Sequence, residues 1–156
     1  MLVFLPVSPA GLVAWAGGSP LRDMPGFAVT PAFLDAFGLD AFDAADAEDA
    51  ERTALYVAAL AGLTRHGVRL VAVADDPAAR DLDDELGGVA TGTVRFEAVT
   101  ALFADEPDAA PSVEAARREL PRSVADAWDH PAHDRLLEVA DLLWHAPGEW
   151  RAVAGG

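Results

Sequence analysis

Apolar residues along this chain fall into blocks of strand or helix length, and most residues between the blocks are turn formers or helix caps. Residues 2–7 form a short run rich in Val, Leu and Phe and read as a first strand. Ser8-Pro9 follows, a capping residue with proline at the first helical position. A short helix through Leu12, Val13 and Trp15 is therefore expected, ending at Gly17-Gly18. Beyond a loop with Pro20 and Pro25-Gly26, residues 27–29 read as a second strand. Thr30-Pro31 repeats the cap-and-proline signal ahead of a helix over 32–37, stopped near Gly38.

The clearest element is a helix over 46–66. Asp46, Glu48, Asp49 and Glu51 suit the positive end of its dipole, Arg65 and His66 suit the negative end, and Gly67 is placed to terminate it. Between 54 and 63 nearly every position is apolar, which predicts a central helix packed on more than one side. Residues 68–74 form a continuous apolar run bounded by Gly67 and Asp75-Asp76-Pro77, an interior strand by its pattern. The polar stretch 75–88 is expected to hold a turn of helix around 80–86. Strands over 89–96 and 99–104, separated by little more than Glu97-Ala98, suggest a hairpin or one bent strand.

After a loop at 107–111, Ser112 is expected to cap a helix through Leu120, and 123–128 has helical character. Asp129-His130-Pro131 interrupts. Two readings of the next segment stay open: a helix over 134–143, or a helix ending near Ala140 with 142–145 as a final strand. Residues 152–156 are expected to fray. Helices separate at least three of the strands, while two others are adjacent. The chain therefore reads as one α+β domain over 1–156: a two-layer sandwich, with a mixed sheet of about five strands and the long Ala-rich helix on one face.

Composition narrows the chemistry. Of 156 residues 34 are Ala, and Lys, Asn, Gln, Ile and Cys are absent. Without Lys there is no P-loop lysine and no Schiff base. Without Cys there is no thiol nucleophile, disulfide or thiolate metal site. Without Asn or Gln there is no amide side chain to read adenine or line an oxyanion hole. The formal charge of −15, from 26 acids against 11 Arg, opposes binding to nucleic acid or anionic membrane. The first residues lack a basic segment and are broken by Pro6, a poor signal peptide, and no run is long enough to span a bilayer. A cytoplasmic location is the expectation.

The opening Val-Phe-Leu-Pro-Val run, the Phe27-Ala28-Val29-Thr30-Pro31 segment, the acidic lead into an Ala-rich helix, the Val71-to-Asp75 and Val99-to-Glu106 strands and the late Leu142-Leu143-Trp144-His145 come in a distinctive order. Together they resemble an uncharacterised family of small actinobacterial proteins. The chain departs from that family's pattern in a helix-like stretch around Ser123 to Asp129. The resemblance implies the order of segments and no activity.

Candidate sites are few. Asp75-Asp76 and Asp105-Glu106 each end a strand, and two such pairs would form a divalent-cation site if the strands were parallel neighbours. His130 and His133, flanked by Asp129 and Asp134, carry donors suited to a transition metal, although Pro131 argues against one helix presenting both rings. Acidic residues before proline also end strands and begin turns, which is the simpler role for both pairs. Ser8 and Ser112 fit caps better than a nucleophile elbow. His66 and His145 have acid–base character at neutral pH, but a helix end and a sheet edge explain them more simply. Trp144 and Trp150 are candidates for partner contact, as is the acidic stretch 35–51, with seven acids and no base. The reading is a non-catalytic protein acting through an unknown protein partner, with no cofactor. The alternative is a metal-dependent hydrolase or phosphotransfer enzyme using the strand-end carboxylates.

Overall fold

The computed structural model describes residues 1–155. Their order is β1 (Leu2–Pro6), α1 (Pro9–Ala16), β2 (Leu21–Arg22), β3 (Pro25–Phe27), α2 (Pro31–Phe37), α3 (Ala44–His66), β4 (Leu70–Asp75), β5 (Arg80–Asp81), β6 (Gly88–Ala90), β7 (Thr93–Val94), β8 (Val99–Asp105), α4 (Ala110–Glu119), α5 (Val124–Trp128), α6 (Pro131–Val139), β9 (Leu142–His145) and α7 (Trp150–Gly155). Seven strands form one sheet in the order β5-β6-β3-β1-β4-β8-β9, and β2 and β7 form a separate pair.

The α+β class and the long helix on one face are as expected, but two features of the expected sheet are corrected. Every neighbouring pair is antiparallel, so the sheet is not mixed. The helix α3 does join two strands of the same direction, β3 and β4. However, β1 lies between them and pairs antiparallel with both, so no parallel pair forms. The sheet also has seven strands rather than about five, because pieces as short and polar as Arg80–Asp81 leave no apolar pattern to find.

The alternation of side chains divides the core. Val3, Leu5, Leu70, Ala72 and Ala74 face one side with Leu12 and Trp15 of α1, and Val153 of α7 packs there as well. The Trp15 indole N–H donates to the Val94 carbonyl at 2.9 Å, which ties α1 to β7. Phe4, Val71, Val73 and Ala101 face the other side beneath α3, with Phe33 of α2 beside them. Both faces are thus covered, a departure from two layers that follows from the apolar residues of α1 and α7. Complete burial of Leu5, Leu12, Phe33 and Leu60 contributes about 1.5–3 kcal/mol each.

The long helix is buried from several directions, as its apolar middle predicts. Alanines at 50, 54, 58 and 61 let it lie close to the sheet and its neighbours. At Gly62 the approach is tightest: an added Cβ would sit 2.9 Å from the Val68 carbonyl oxygen. The helix starts two residues earlier than expected because Asp43 is its cap, its carboxylate accepting the Asp46 N–H at 3.0 Å.

Four local expectations change. Residues 80–86 form the short strand β5 and then an irregular turn rather than helix, since Asp83 takes a φ of 55° and Asp81 and Asp84 accept nearby backbone N–H groups. Residues 89–104 form neither hairpin nor single strand: β6 joins β3, β7 joins β2 and β8 joins β4. Ser112 lies within the first turn of α4, whose cap position is Ala109, because Pro111 is tolerated in that turn and the helix begins ahead of it. Residues 142–145 are a strand, which settles the two readings. Residues 150–155 form a short helix where fraying was expected from 152, packed through Val153 and Ala154; Gly156 lies outside the described residues. No described helix is long and apolar enough to cross a membrane.

Candidate functional site

The antiparallel register separates the two carboxylate pairs. Leu70 lies opposite Ala104 and Ala74 opposite Val99, so β4 and β8 terminate at opposite ends of the sheet. The run from Leu70 to Ala74 alone spans about 14 Å at strand rise. Three of the four carboxylates also have a local partner. Asp75 accepts the N-terminal ammonium group at 3.0 Å. Asp76, 2% exposed, accepts the N–H groups of Ala78 and Gly92, both at 2.9 Å. Glu106 is exposed, and its carbonyl accepts the Ala109 N–H that starts the turn into α4.

Asp105 meets a residue that the sequence reading passed over. Arg69 is 2% exposed and forks onto both Asp105 oxygens through Nε and Nη2. Nη2 also donates to the Ala140 carbonyl at 3.1 Å. Among the described residues, Arg69 Nη1 is the buried side-chain polar atom left without a partner. The signal for this pair was in the sequence: a lone Arg at the start of an apolar strand run must be buried with a counter-charge or leave the sheet.

The two histidines serve the chain around α6. The His130 Nδ1 accepts the Ala132 N–H at 3.0 Å and caps that helix. His133 is 1% exposed, its Nδ1 lies 3.1 Å from the Trp128 carbonyl, and its ring packs on the Trp128 indole. Burial lowers the His133 pKa below the ordinary histidine value; the Trp128 carbonyl opposes that shift, Arg69 adds to it and Asp134 opposes it. Each Nδ1 is thus engaged by backbone. Among the described residues no group of three or more His, Asp or Glu side chains is placed to hold a metal ion.

A different surface emerges beside β9. Tyr56 of α3 accepts the Leu142 N–H at 3.1 Å through its hydroxyl, and Arg52 lies 3.8 Å from Asp141. These contacts carry α3 across the start of β9. Its first half leaves a corner of the sheet open as a groove of about 520 Å³. Leu2, Phe4, Val73, Ala101, Phe103 and Trp144 line it from the sheet, while Glu48, Asp49, Glu51 and Arg52 line it from the helix. Trp144 is 61% exposed. Trp150 instead packs against the core of the opposite face, so the two tryptophans do not share a surface. A second cavity of about 390 Å³ includes Arg69, Asp105 and Glu114 in its lining, but the first two already neutralise each other.

The model of DUF6912, a family of unknown function, matches residues 1–153. The chain belongs to the DUF6912 family. No curated protein and no solved structure matches it. The DUF6912 match runs from β1 into α7, and so includes α5, the helical stretch near 123–129. It also includes every residue of the groove beside β9.

Proposed function

We propose that this chain is a non-catalytic protein-binding module that engages a partner through the groove between α3 and the last strands of the sheet. The observation that carries this reading is Trp144, a large aromatic side chain 61% exposed that lines a groove with an apolar sheet side and a charged helix side. Exposed apolar surface bounded by polar residues is costly to leave in water and marks contact sites, and tryptophan is enriched among residues that dominate binding energy. The hydrolase alternative loses its motive because its two carboxylate pairs lie at opposite ends of the sheet, and Asp75, Asp76 and Asp105 are engaged by the amino terminus, backbone or Arg69. A cytoplasmic setting, consistent with a chain without cysteine, belongs to this proposal.

The test is site-specific photocrosslinking in the cells that make the protein. A photoreactive residue at Glu51, on the helix wall of the groove, should give a discrete adduct that disappears in the Trp144→Ala background. The same probe at Arg118, on the exposed side of α4, should not give that adduct. Identical patterns at both positions, or no adduct at 51, would count decisively against the reading.

A further inference from the structure

The two edges of the main sheet are built differently. At one edge lies β5, two exposed charged residues, Arg80 and Asp81. Short, charged edge strands are a usual device against pairing with another chain. At the other edge lies β9, with the sequence Leu142-Leu143-Trp144-His145. It has no Lys, Pro or bulge, and no described strand pairs with its outer side, although the N–H groups of Leu142 and Ala146 at its two ends are held by the Tyr56 hydroxyl and the Glu149 carboxylate. Leu143 is 39% and Trp144 61% exposed, so apolar side chains are accessible at adjacent positions of an open edge.

Charge around this edge selects the kind of strand it would accept. Leu142 and Trp144 lie toward the groove, where α3 presents Glu48, Asp49 and Glu51. The one cation in that wall, Arg52, is drawn toward Asp141. Leu143 lies on the alternate face, where it shares a cleft with the exposed Val139 of α6 and with Glu106, Asp108 and Asp141. A second copy of this chain would bring the same acids, and a net charge of −15, against this wall. A strand with arginine at every second position would instead lay its aliphatic stems over Trp144 with its guanidinium groups among the acids. The alternate positions would place apolar side chains over Leu143.

Resting on the protein-binding reading, we infer that β9 is a receptor edge for an extended basic segment of a partner, which adds to the sheet as an eighth strand. The backbone around Trp144, between the held N–H groups of Leu142 and Ala146, would supply the hydrogen bonds of such strand addition, and the alternation of side chains its selectivity.

The experiment uses the full chain and an acetylated heptapeptide alternating arginine and valine, followed by amide NMR shifts and fluorescence anisotropy. Three comparison peptides share its length: one of the same composition with the arginines in a block, one alternating glutamate and valine, and one N-methylated at alternate backbone nitrogens. The expected result is saturable binding of the alternating peptide, with shifts concentrated on residues 141–146 and the first half of α3. N-methylation or the block order should weaken it at least tenfold, and the acidic peptide should not bind. Trp144→Ala should weaken it about tenfold, and the triple variant Glu48→Gln/Asp49→Asn/Glu51→Gln should weaken it and flatten its salt dependence. Equal binding of the block and N-methylated peptides would show nonspecific charge attraction and overturn the inference. So would dimerisation through β9, seen by sedimentation and lost in Trp144→Ala. If a Trp144-dependent crosslinked partner exists but the alternating peptide neither binds nor displaces it, strand addition fails while the protein-binding reading stands. Loss of the crosslink as well removes both.

Discussion

Replacing Asp105 by Ala should unfold this protein more readily than any other single change at the strand-end acids. The reason is the partner it leaves behind. The Arg69 side chain is 1% exposed and that of Asp105 14%, so the guanidinium would remain buried with only the Ala140 carbonyl to receive its protons. Removing one member of a buried pair costs about 3–5 kcal/mol, because an uncompensated charge stays in the interior. For a chain of this length, each kcal/mol moves the melting temperature by about 2–4 °C, which gives a drop of about 6–20 °C. Calorimetry at neutral pH measures it directly. The double variant Arg69→Met/Asp105→Leu should recover most of the loss, since it removes both charges together with their desolvation cost. A loss under about 1 kcal/mol, the range of an exposed pair, would refute the reasoning. So would a double variant no more stable than Asp105→Ala.

Two further outcomes follow from local geometry. Gly87 has a φ of +80° and a Cβ there would collide with the Ala28 carbonyl oxygen, whereas Gly38 has a φ of +65° and open space around it. Ala at Gly38 should cost about 1–2 kcal/mol for the left-handed backbone, and Ala at Gly87 roughly 1–3 kcal/mol more for the collision; equal losses in urea titrations would contradict this. His133 has a lowered pKa in the fold, first through burial, so below about pH 6.5 the unfolded chain binds the proton more readily. Stability should be fully present above that pH and decline as pH falls through it, with a smaller decline in His133→Gln. A stability flat from pH 7 to 5, or an NMR titration placing the His133 pKa above 6.5, would oppose that account.

Much of the local structure was legible along the chain because it depends on neighbouring residues. Ser8-Pro9, Thr30-Pro31 and the closing Gly38 and Gly67 mark helix ends by satisfying backbone groups within a turn or two. The apolar run of β4 and the acidic-to-basic gradient of α3 were equally local. Ser112 was misread because Pro111 permits the helix to begin before it, and β2 and β5 are too short to have a period at all.

The candidate sites depended on something the order of residues does not encode. Asp75-Asp76 and Asp105-Glu106 look alike as strand-end acids, and only the antiparallel pairing of β4 with β8 places them at opposite ends of the sheet. Arg69 was visible as a charge in an apolar strand, but its partner lies 36 positions away. Trp144 and Trp150 are close in sequence, yet one lines an open groove and the other packs against the opposite core. By itself the sequence determined the longer helices, the apolar strands β1 and β4, the acidic charge and the absence of lysine and cysteine chemistry, since these are properties of composition and near neighbours. Strand order and direction decided which charges meet, which edge stays open and where an aromatic side chain faces water, because those depend on contacts between residues far apart in the chain.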